Sequence, residues 1–167
     1  MNRPSSGSLV TTCPARLSGT AALALGLVFT ALACLPSAIQ AQDHEAIIEY
    51  RQSIMDAFRT HMGGVRAALA NTVPMDHAGN HAVAFHEMTL SLANVFPEGS
   101  TAPGSRALPA IWQNRDDFMN KVTAIQRATA ELVDATEAGD AEVIGSALQA
   151  VQGTCRDCHT DYRGPAN

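Results

Sequence analysis

The sequence predicts an all-α protein, an antiparallel four-helix bundle. Four segments place their large apolar residues at alternating spacings of three and four, the pattern of a helix that buries one face. Three connections separate these segments, two short and one of medium length, which favours antiparallel neighbours. No alternating run of apolar and polar residues is long enough to form a competing strand. The 167 residues suggest one domain with an appendage.

The first two helices are predicted over about residues 43–70 and 77–94. Asp76 is expected to cap the second of them. Gly63 and Gly64 weaken the helical propensity of the first helix, which predicts a tight helix crossing or the close edge of a bound group at that point. The inward faces would carry Ile48, Met55, Phe58, Met62, Val65 and Leu69 on the first helix, and Phe85, Met88, Leu92 and Val95 on the second.

The third and fourth helices follow a predicted loop of Pro, Gly, Ser and Thr over residues 96–108. Pro109 suits the first turn of the third helix, which is predicted as a single helix that ends before Gly139. Asp140 is expected to cap the fourth helix. One face of that helix carries Ile144, Leu148, Val151, Cys155, Cys158 and Tyr162, so both cysteines should face the core.

The first 41 residues are predicted to be a cleaved secretory signal peptide. Two arginines precede an apolar run, residues 21–33, that is too short to span a bilayer, and Ala41 completes a cleavage site. The mature domain would then be residues 42–167, and its expected location is the periplasm. The alternative is a membrane-anchored lipoprotein, because the residues that end at Cys34 loosely resemble a lipobox.

The predicted mature part is acidic. It carries nine of the eleven Lys and Arg and all sixteen Asp and Glu, a net charge of −7. This charge argues against nucleic acid as a partner. It fits solubility, and it would also steer the protein towards a basic redox partner. Since Cys13 and Cys34 leave with the signal peptide, Cys155 and Cys158 are the remaining cysteines of the mature part.

Cys155, Cys158 and His159 form a Cys-x-x-Cys-His motif, which predicts the covalent attachment of one haem c. Cysteines three apart lie on one face of a helix, where each thiol can add to one vinyl group of the haem. The imidazole that follows can ligate the iron. Two alternatives are a redox dithiol, which needs a βαβ context, and half of a zinc site, which needs a second pair of ligands. Neither context is visible in the sequence.

Several short stretches carry a family likeness over nearly all of the predicted mature part. They are Tyr50-Arg51-Gln52-Ser53, Phe96-Pro97-Glu98-Gly99, Ile111-Trp112, Ala138-Gly139-Asp140 and Cys155-x-x-Cys158-His159-x-x-Tyr162-Arg163. With these stretches and the predicted bundle, the chain resembles the cytochrome c′ family. The C-terminal stretch is the most specific of them.

The resemblance implies that His159 is the proximal axial ligand and that Met55 covers the distal face of the haem. Family members with methionine at this place divide between low-spin forms, in which the sulfur ligates the iron, and five-coordinate forms, in which it only shields the iron. Met55 also fits the core stripe as an ordinary gap filler. The resemblance places Arg163 on the proximal side, where its cation would raise the potential or pair with a propionate. Arg51 is a second candidate for a propionate.

The leading hypothesis is a small exported haem protein that passes single electrons to redox partner proteins and is not itself an enzyme. The alternative is a five-coordinate module that binds NO or CO. A third reading, from a different class, is an apo scaffold or dithiol protein. Family members are monomers or homodimers, and the sequence favours neither state. His77 and His81 are four residues apart and could clamp a metal, although surface or capping roles are expected for the histidines.

Overall fold

Four long helices form an antiparallel bundle, as the sequence predicts. The structure is a computed structural model, and it describes residues 36–165, with side chains described from His44 onward. The elements are α1 (Pro36–Leu69), α2 (Asp76–Leu90), a 3₁₀ turn (Leu92–Val95), the single helical turn α3 (Ala110–Gln113), α4 (Arg115–Ala138) and α5 (Ala141–Tyr162).

The bundle is closed unevenly around its core. Helix pairs α1–α2, α2–α4 and α4–α5 pack along much of their length, whereas α1 and α5 touch in few places. Each helix buries one apolar stripe against the others, because that arrangement removes the most apolar surface from water. The largest fully buried apolar side chains are Val65, Phe85, Ile111, Phe118, Leu132, Ile144 and Val151.

The predicted cap of the last helix is confirmed, and that of the second helix is wrong. Asp140 Oδ1 accepts the backbone N–H groups of Glu142 at 2.8 Å and Val143 at 3.2 Å. The N-cap position of α2 is occupied by Met75, which has helical backbone angles and offers no capping side chain. Asp76 lies one residue further on, where its carboxylate can still interact favourably with the positive end of the helix dipole.

The prediction of a single third helix is also wrong. α3 and α4 are separated at Asn114, whose backbone angles are φ −123° and ψ 52°. The N–H of Asn114 donates to the carbonyl of Ala110 at 2.9 Å, and its own carbonyl accepts from Phe118 at 3.0 Å. The helical direction therefore changes at one residue without leaving the backbone groups of that residue unpaired, so no proline or glycine was needed to mark the break.

The tight crossing predicted at the two glycines of α1 is present at one of them. A Cβ atom on Gly64 would overlap the imidazole ring of His81 on α2. A Cβ atom on Gly63 would meet nothing within 4 Å. Gly64 thus allows α2 to place a histidine ring directly against the backbone of α1.

Most of the predicted signal peptide lies outside the described residues, and so does Cys34. Helix α1 begins at Pro36, so residues 36–41 of the predicted signal peptide belong to a described element. Between residues 36 and 165, no helix combines the length and the apolar character that a membrane crossing requires. The predicted cleavage near Ala41 stays a prediction.

Candidate haem site

A cavity lies where α1 and α5 separate. Its volume is about 440 Å³, within the roughly 300–1,000 Å³ typical of small-molecule and cofactor sites. Its walls come from α1, the loop before α3, α4 and α5, and most of the lining atoms are apolar. The apolar lining includes Ile48, Phe58, Leu92, Phe96, Ile111, Phe118, Val122 and Ile125.

The predicted attachment motif forms the α5 wall of this cavity. Cys155, Cys158 and His159 all line it, because residues three and four apart project from the same side of a helix. Both thiols are half-buried and free, and neither is bonded to the other. Burial raises the pKa of Cys155 and raises the pKa of Cys158 to about 11, so both thiols are protonated at neutral pH.

The imidazole of His159 is suited to bind a metal ion in the cavity. Burial lowers its pKa, and the cations of Arg163 and Arg106 lower it further. The neutral ring keeps a nitrogen lone pair available, as an iron ligand requires. Two free thiols three residues apart, an adjacent neutral imidazole and an apolar cavity that all three face are the set that a covalently bound haem needs. The residues present therefore fit the group.

Two methionines of α1 line the same cavity. Met55, the predicted distal residue, is half-buried there, and its role on the distal face stays a prediction. Met62, two turns further along α1, lines it as well. Met62 was predicted only as a core residue, although its spacing of seven from Met55 already places both thioethers on one helix face. The cavity thus offers two soft sulfur donors on its α1 wall.

Arg51 lines the cavity, but its guanidinium donates its hydrogen bonds to the segment before α3. Its side chain is only 5% exposed. Nη1 donates to the Val95 carbonyl at 3.2 Å and to Ser100 Oγ at 3.0 Å, while Nη2 donates to the Ser100 carbonyl and to Ser105 Oγ, each at 3.0 Å. The guanidinium also stacks over the ring of Phe96, 4.7 Å from its centroid. All four terminal N–H groups are therefore used by the 3₁₀ turn and the loop that follows it, which leaves Nε as the one remaining donor towards a propionate.

The predicted proximal arginine is close to the motif, and a second arginine lies beside it. Arg163 follows α5, is exposed, lines the cavity and donates its backbone N–H to the carbonyl of His159 at 3.3 Å. Arg106 reaches from the loop to the carbonyl of Gly164, at 2.7 Å from Nη2 and 2.9 Å from Nε, and to that of Pro165 at 3.0 Å. Arg106 was not predicted, because only the fold brings the loop to the end of α5.

Lys121 and Tyr162 complete the α4–α5 side of the cavity. Lys121 Nζ pairs with Asp161 at 2.8 Å, which raises the pKa of the lysine. Tyr162 is buried edge-on against Phe118 and donates its hydroxyl to Asp117 Oδ2 at 2.6 Å. Burial, followed by that hydrogen bond, raises the pKa of Tyr162 to about 12.

Trp112, which belongs to one of the family-like stretches, does not line the cavity. Its Nε1–H donates to the carbonyl of Pro97 at 2.9 Å. The indole therefore holds the loop at Pro97 and does not form part of the cavity wall.

The histidines outside the motif do not form the His77–His81 clamp that their spacing allowed. His81 turns towards α1, where its Nδ1 lies 3.0 Å from Nδ1 of His61, and His77 is exposed. His86 Nδ1 is 3.0 Å from the hydroxyl of Thr129. Since that hydroxyl donates to a helix carbonyl of α4, it accepts from His86, whose Nδ1 then carries the hydrogen. No group of three or more metal-ligating side chains occurs among the described residues.

Comparison with known proteins gives a consistent result. A family model described as Cytochrome C' matches residues 46–163. Cytochrome c′ of Rhodospirillum rubrum is 33% identical over 141 residues, which cover 82% of this chain and 96% of the relative. Cytochrome c-556 of Agrobacterium tumefaciens (strain II Chrys) is 33% identical over 118 residues, 70% of this chain and 95% of the relative.

Solved structures of similar fold include cytochrome c prime from Shewanella frigidimarina, with a TM-score of 0.67 and 27% identity, covering 73% of this chain and 97% of that one. A nitric oxide complex of a cytochrome c prime variant from Alcaligenes xylosoxidans also has a TM-score of 0.67, with 24% identity and coverage of 73% and 97%. A further variant from that organism is described as carbon monoxide bound.

Proposed function

Because the chain belongs to the cytochrome c′ family, we propose that it transfers single electrons, with His159 and Met55 as the two side-chain ligands of its iron. Membership of the family brings one covalently attached haem c. The thiols of Cys155 and Cys158 are the groups that would hold it, since both face the cavity. When bound, the haem supplies a one-electron couple at its iron.

The observation that carries the proposal is the placement of Met55 on the α1 wall of the cavity that His159 lines from α5. A thioether is a soft, neutral ligand, and a methionine–histidine pair gives iron a higher potential than histidine alone. Met55 is half-buried, so part of its side chain is withdrawn from bulk water. An electron carrier benefits from such a pair because neither ligand changes its charge when the iron changes its own.

The other lining residues support electron transfer without catalysis. Asp56 is the carboxylate among them, and it is exposed and paired with Arg59 at 3.0 Å. A carboxylate that is exposed and paired with a cation is poorly suited to act as a general base. The cations of Arg106 and Arg163 near His159 disfavour additional positive charge, so they would raise the potential of the iron.

The second candidate function is the binding of NO or CO by a five-coordinate iron. It is favoured by solved relatives that are described as complexes with nitric oxide and with carbon monoxide. In this reading His159 is the one side-chain ligand, and the thioether of Met55 only covers the remaining position. The apolar side chains around the cavity would then exclude water from the place that a small neutral gas takes.

We also propose that the protein is exported to the periplasm and serves redox partner proteins there. The support is the signal-like segment of residues 1–41. The motif is compatible with an oxidising compartment, because its two cysteines are no longer free thiols once haem is attached. Mass spectrometry of the protein recovered from a periplasmic extract should give a chain that begins near Gln42 and carries one haem. An acyl group on Cys34 would instead establish the lipoprotein alternative.

Visible spectra of the exported holoprotein, oxidised and reduced, test the leading function. We expect low-spin spectra in both states, and little change on addition of CO. Met55→Leu should convert the iron to a high-spin form that binds CO readily, because leucine cannot ligate. Met62→Leu is the matched control, since it removes the other thioether of the same wall, and its spectra should equal those of the wild type.

Two outcomes would reject ligation by Met55. If the wild type is high-spin, binds CO at modest concentrations and is unchanged by Met55→Leu, the gas-binding function replaces electron transfer. If Met62→Leu and not Met55→Leu changes the spin state, the ligand has been assigned to the wrong sulfur.

A further inference from the structure

The paired histidines of α1 and α2 form a second site, separate from the haem cavity. His61 Nδ1 and His81 Nδ1 lie 3.0 Å apart, and the ring centroids are 5.3 Å apart with planes inclined at 59°. Neither residue lines the haem cavity. Both rings are half-buried, so they are held in the helix interface while part of each still meets solvent.

The position of His81 is fixed by the backbone that it touches. Its ring occupies the space in which a side chain on Gly64 would begin. A glycine at this place therefore lets the ring approach α1 closely enough to meet His61, three residues before the glycine. The two nitrogens therefore already lie close together on facing helices, which lowers the entropic cost of bringing them to one ion.

We propose that His61 and His81 together bind one divalent ion of a late transition metal, with Cu²⁺ preferred. Imidazole nitrogen suits Cu²⁺, Ni²⁺ and Zn²⁺, and the affinity of a nitrogen site generally peaks at Cu²⁺. The site joins two helices, so a bound ion would act as a cross-link between α1 and α2. No third protein ligand belongs to the site among the described residues, and water would complete the coordination.

The nitrogen separation supports the choice of metal. With metal–nitrogen bonds of about 2.0–2.1 Å, two nitrogens 3.0 Å apart subtend an angle of roughly 95° at the ion. This angle is close to that between neighbouring ligands of a square-planar or tetragonal site, the geometry of Cu²⁺ and Ni²⁺. A tetrahedral Zn²⁺ site would need the nitrogens to move further apart, so Zn²⁺ should bind more weakly.

Binding needs a change of tautomer and a modest turn of the rings. In the metal-free pair one Nδ1 carries a hydrogen and donates to the other. For both lone pairs to reach the ion, that hydrogen must move to Nε2 of the same ring, which exchange with water allows because the ring is only half-buried. Each ring must also turn by about 40° from the N···N line, as follows from the bond lengths above. The two neutral imidazoles release no net proton.

Titration of the ferric holoprotein with CuSO₄, followed by calorimetry and electron paramagnetic resonance, tests the site. We expect one tightly bound Cu²⁺ per chain, with two imidazole nitrogens coupled to it, and a rise in the unfolding temperature on binding. Ni²⁺ and then Zn²⁺ should bind more weakly. The visible spectrum of the haem should not change, so the result is independent of the function proposed for the haem site.

Variants identify the ligands. His61→Gln and His81→Gln should each weaken Cu²⁺ binding by roughly tenfold or more, because each leaves a single imidazole. His77→Gln is the matched control, since His77 lies one turn before His81 on the same helix and is exposed. If His77→Gln weakens binding and His61→Gln does not, the ion is clamped along α2 and the cross-helix site is wrong.

Two results in the wild type alone would also overturn the proposal, whatever the stability of the variants. One is a dissociation constant for Cu²⁺ in the millimolar range or weaker, which would show that His61 and His81 form a hydrogen-bonded pair and no metal site. The other is a Cu²⁺ signal with coupling to a single imidazole nitrogen.

Discussion

Replacement of Arg51 by methionine tests the role that the structure gives to this buried cation. The change keeps much of the side-chain volume and removes the guanidinium that holds the loop before α3. Val95, Ser100 and Ser105 then lose the donor that ties them to α1. If the loop is held mainly by these bonds, it should loosen while the helices stay folded.

The expected loss follows from the hydrogen bonds. Each buried acceptor left without a donor costs about 1–3 kcal/mol, and three such atoms, the Val95 carbonyl and both oxygens of Ser100, are buried with Arg51. The change also removes the cost of burying a cation without a carboxylate partner, which offsets part of this loss. We therefore expect about 3 kcal/mol, or a decrease in Tm of roughly 10 °C for a domain of this size.

Thermal unfolding of the holoprotein measures the effect, and Arg115→Met provides the control. Arg115 also stacks on a phenylalanine, with its guanidinium 5.1 Å from the ring centroid of Phe118, but it makes a single long hydrogen bond, 3.5 Å, to the carbonyl of Phe96. Its replacement should cost less than about 1 kcal/mol. Amide hydrogen exchange should quicken in residues 97–108 of the Arg51 variant only. Equal losses of stability in the two variants, or unchanged amide exchange in the loop, would show that Arg51 does not hold the loop to α1.

Three further predictions concern the two glycines of α1, the cap of α5 and His61. Gly64→Ala should lower the Tm, because the added Cβ atom would overlap the ring of His81. Gly63→Ala should stabilise the helix by about 0.5–1 kcal/mol, because its Cβ atom would meet nothing within 4 Å. The reverse order of Tm values would disprove the close approach of His81 to Gly64. Asp140→Ala should cost about 1 kcal/mol through loss of the α5 cap, and a denaturation midpoint equal to that of the wild type would contradict it. Burial, and then the charge of His81, lowers the pKa of His61 below its usual 6.5. As the pH falls, His61 is therefore protonated at a higher pH in the unfolded chain than in the folded protein. The free energy of unfolding should decrease as the pH falls below about 6.5. In buffers with EDTA, His61→Gln should reduce that loss, and an unchanged pH dependence would show that His61 does not cause it.

Beyond the bundle itself, the features that the sequence predicted correctly are those decided within one helix or one turn. Cys155, Cys158 and His159 are joined by helical spacing alone, so they share a face wherever the helix packs. The cap formed by Asp140 is equally local, because its acceptors are the N–H groups two and three residues ahead. Met55 was predicted from the family resemblance and from its place on the inward stripe of α1.

The features that it missed depend on how separate segments meet. Arg106 reaches the end of α5 because the loop returns there, and the pairing of Leu108 N–H with the Tyr162 carbonyl at 3.0 Å is a contact between residues far apart in the chain. The break at Asn114 leaves no mark in the apolar pattern, which continues on both sides of it. His81 was paired in sequence with His77, but the glycine on α1 decides which histidine it meets.

The uneven closure of the bundle explains why two arginines matter near the site. Because α1 and α5 hardly touch, apolar packing between them cannot set the width of the cavity. Arg51 instead ties α1 to the loop, and Arg106 of that loop holds the carbonyls of Gly164 and Pro165 just beyond α5. The α1 wall with Met55 and the α5 wall with His159 are thus connected through polar bonds across the loop. Under the proposed ligation by Met55, a change in the loop, although the loop carries no ligand, should therefore alter the separation of the two walls and with it the spin state of the iron.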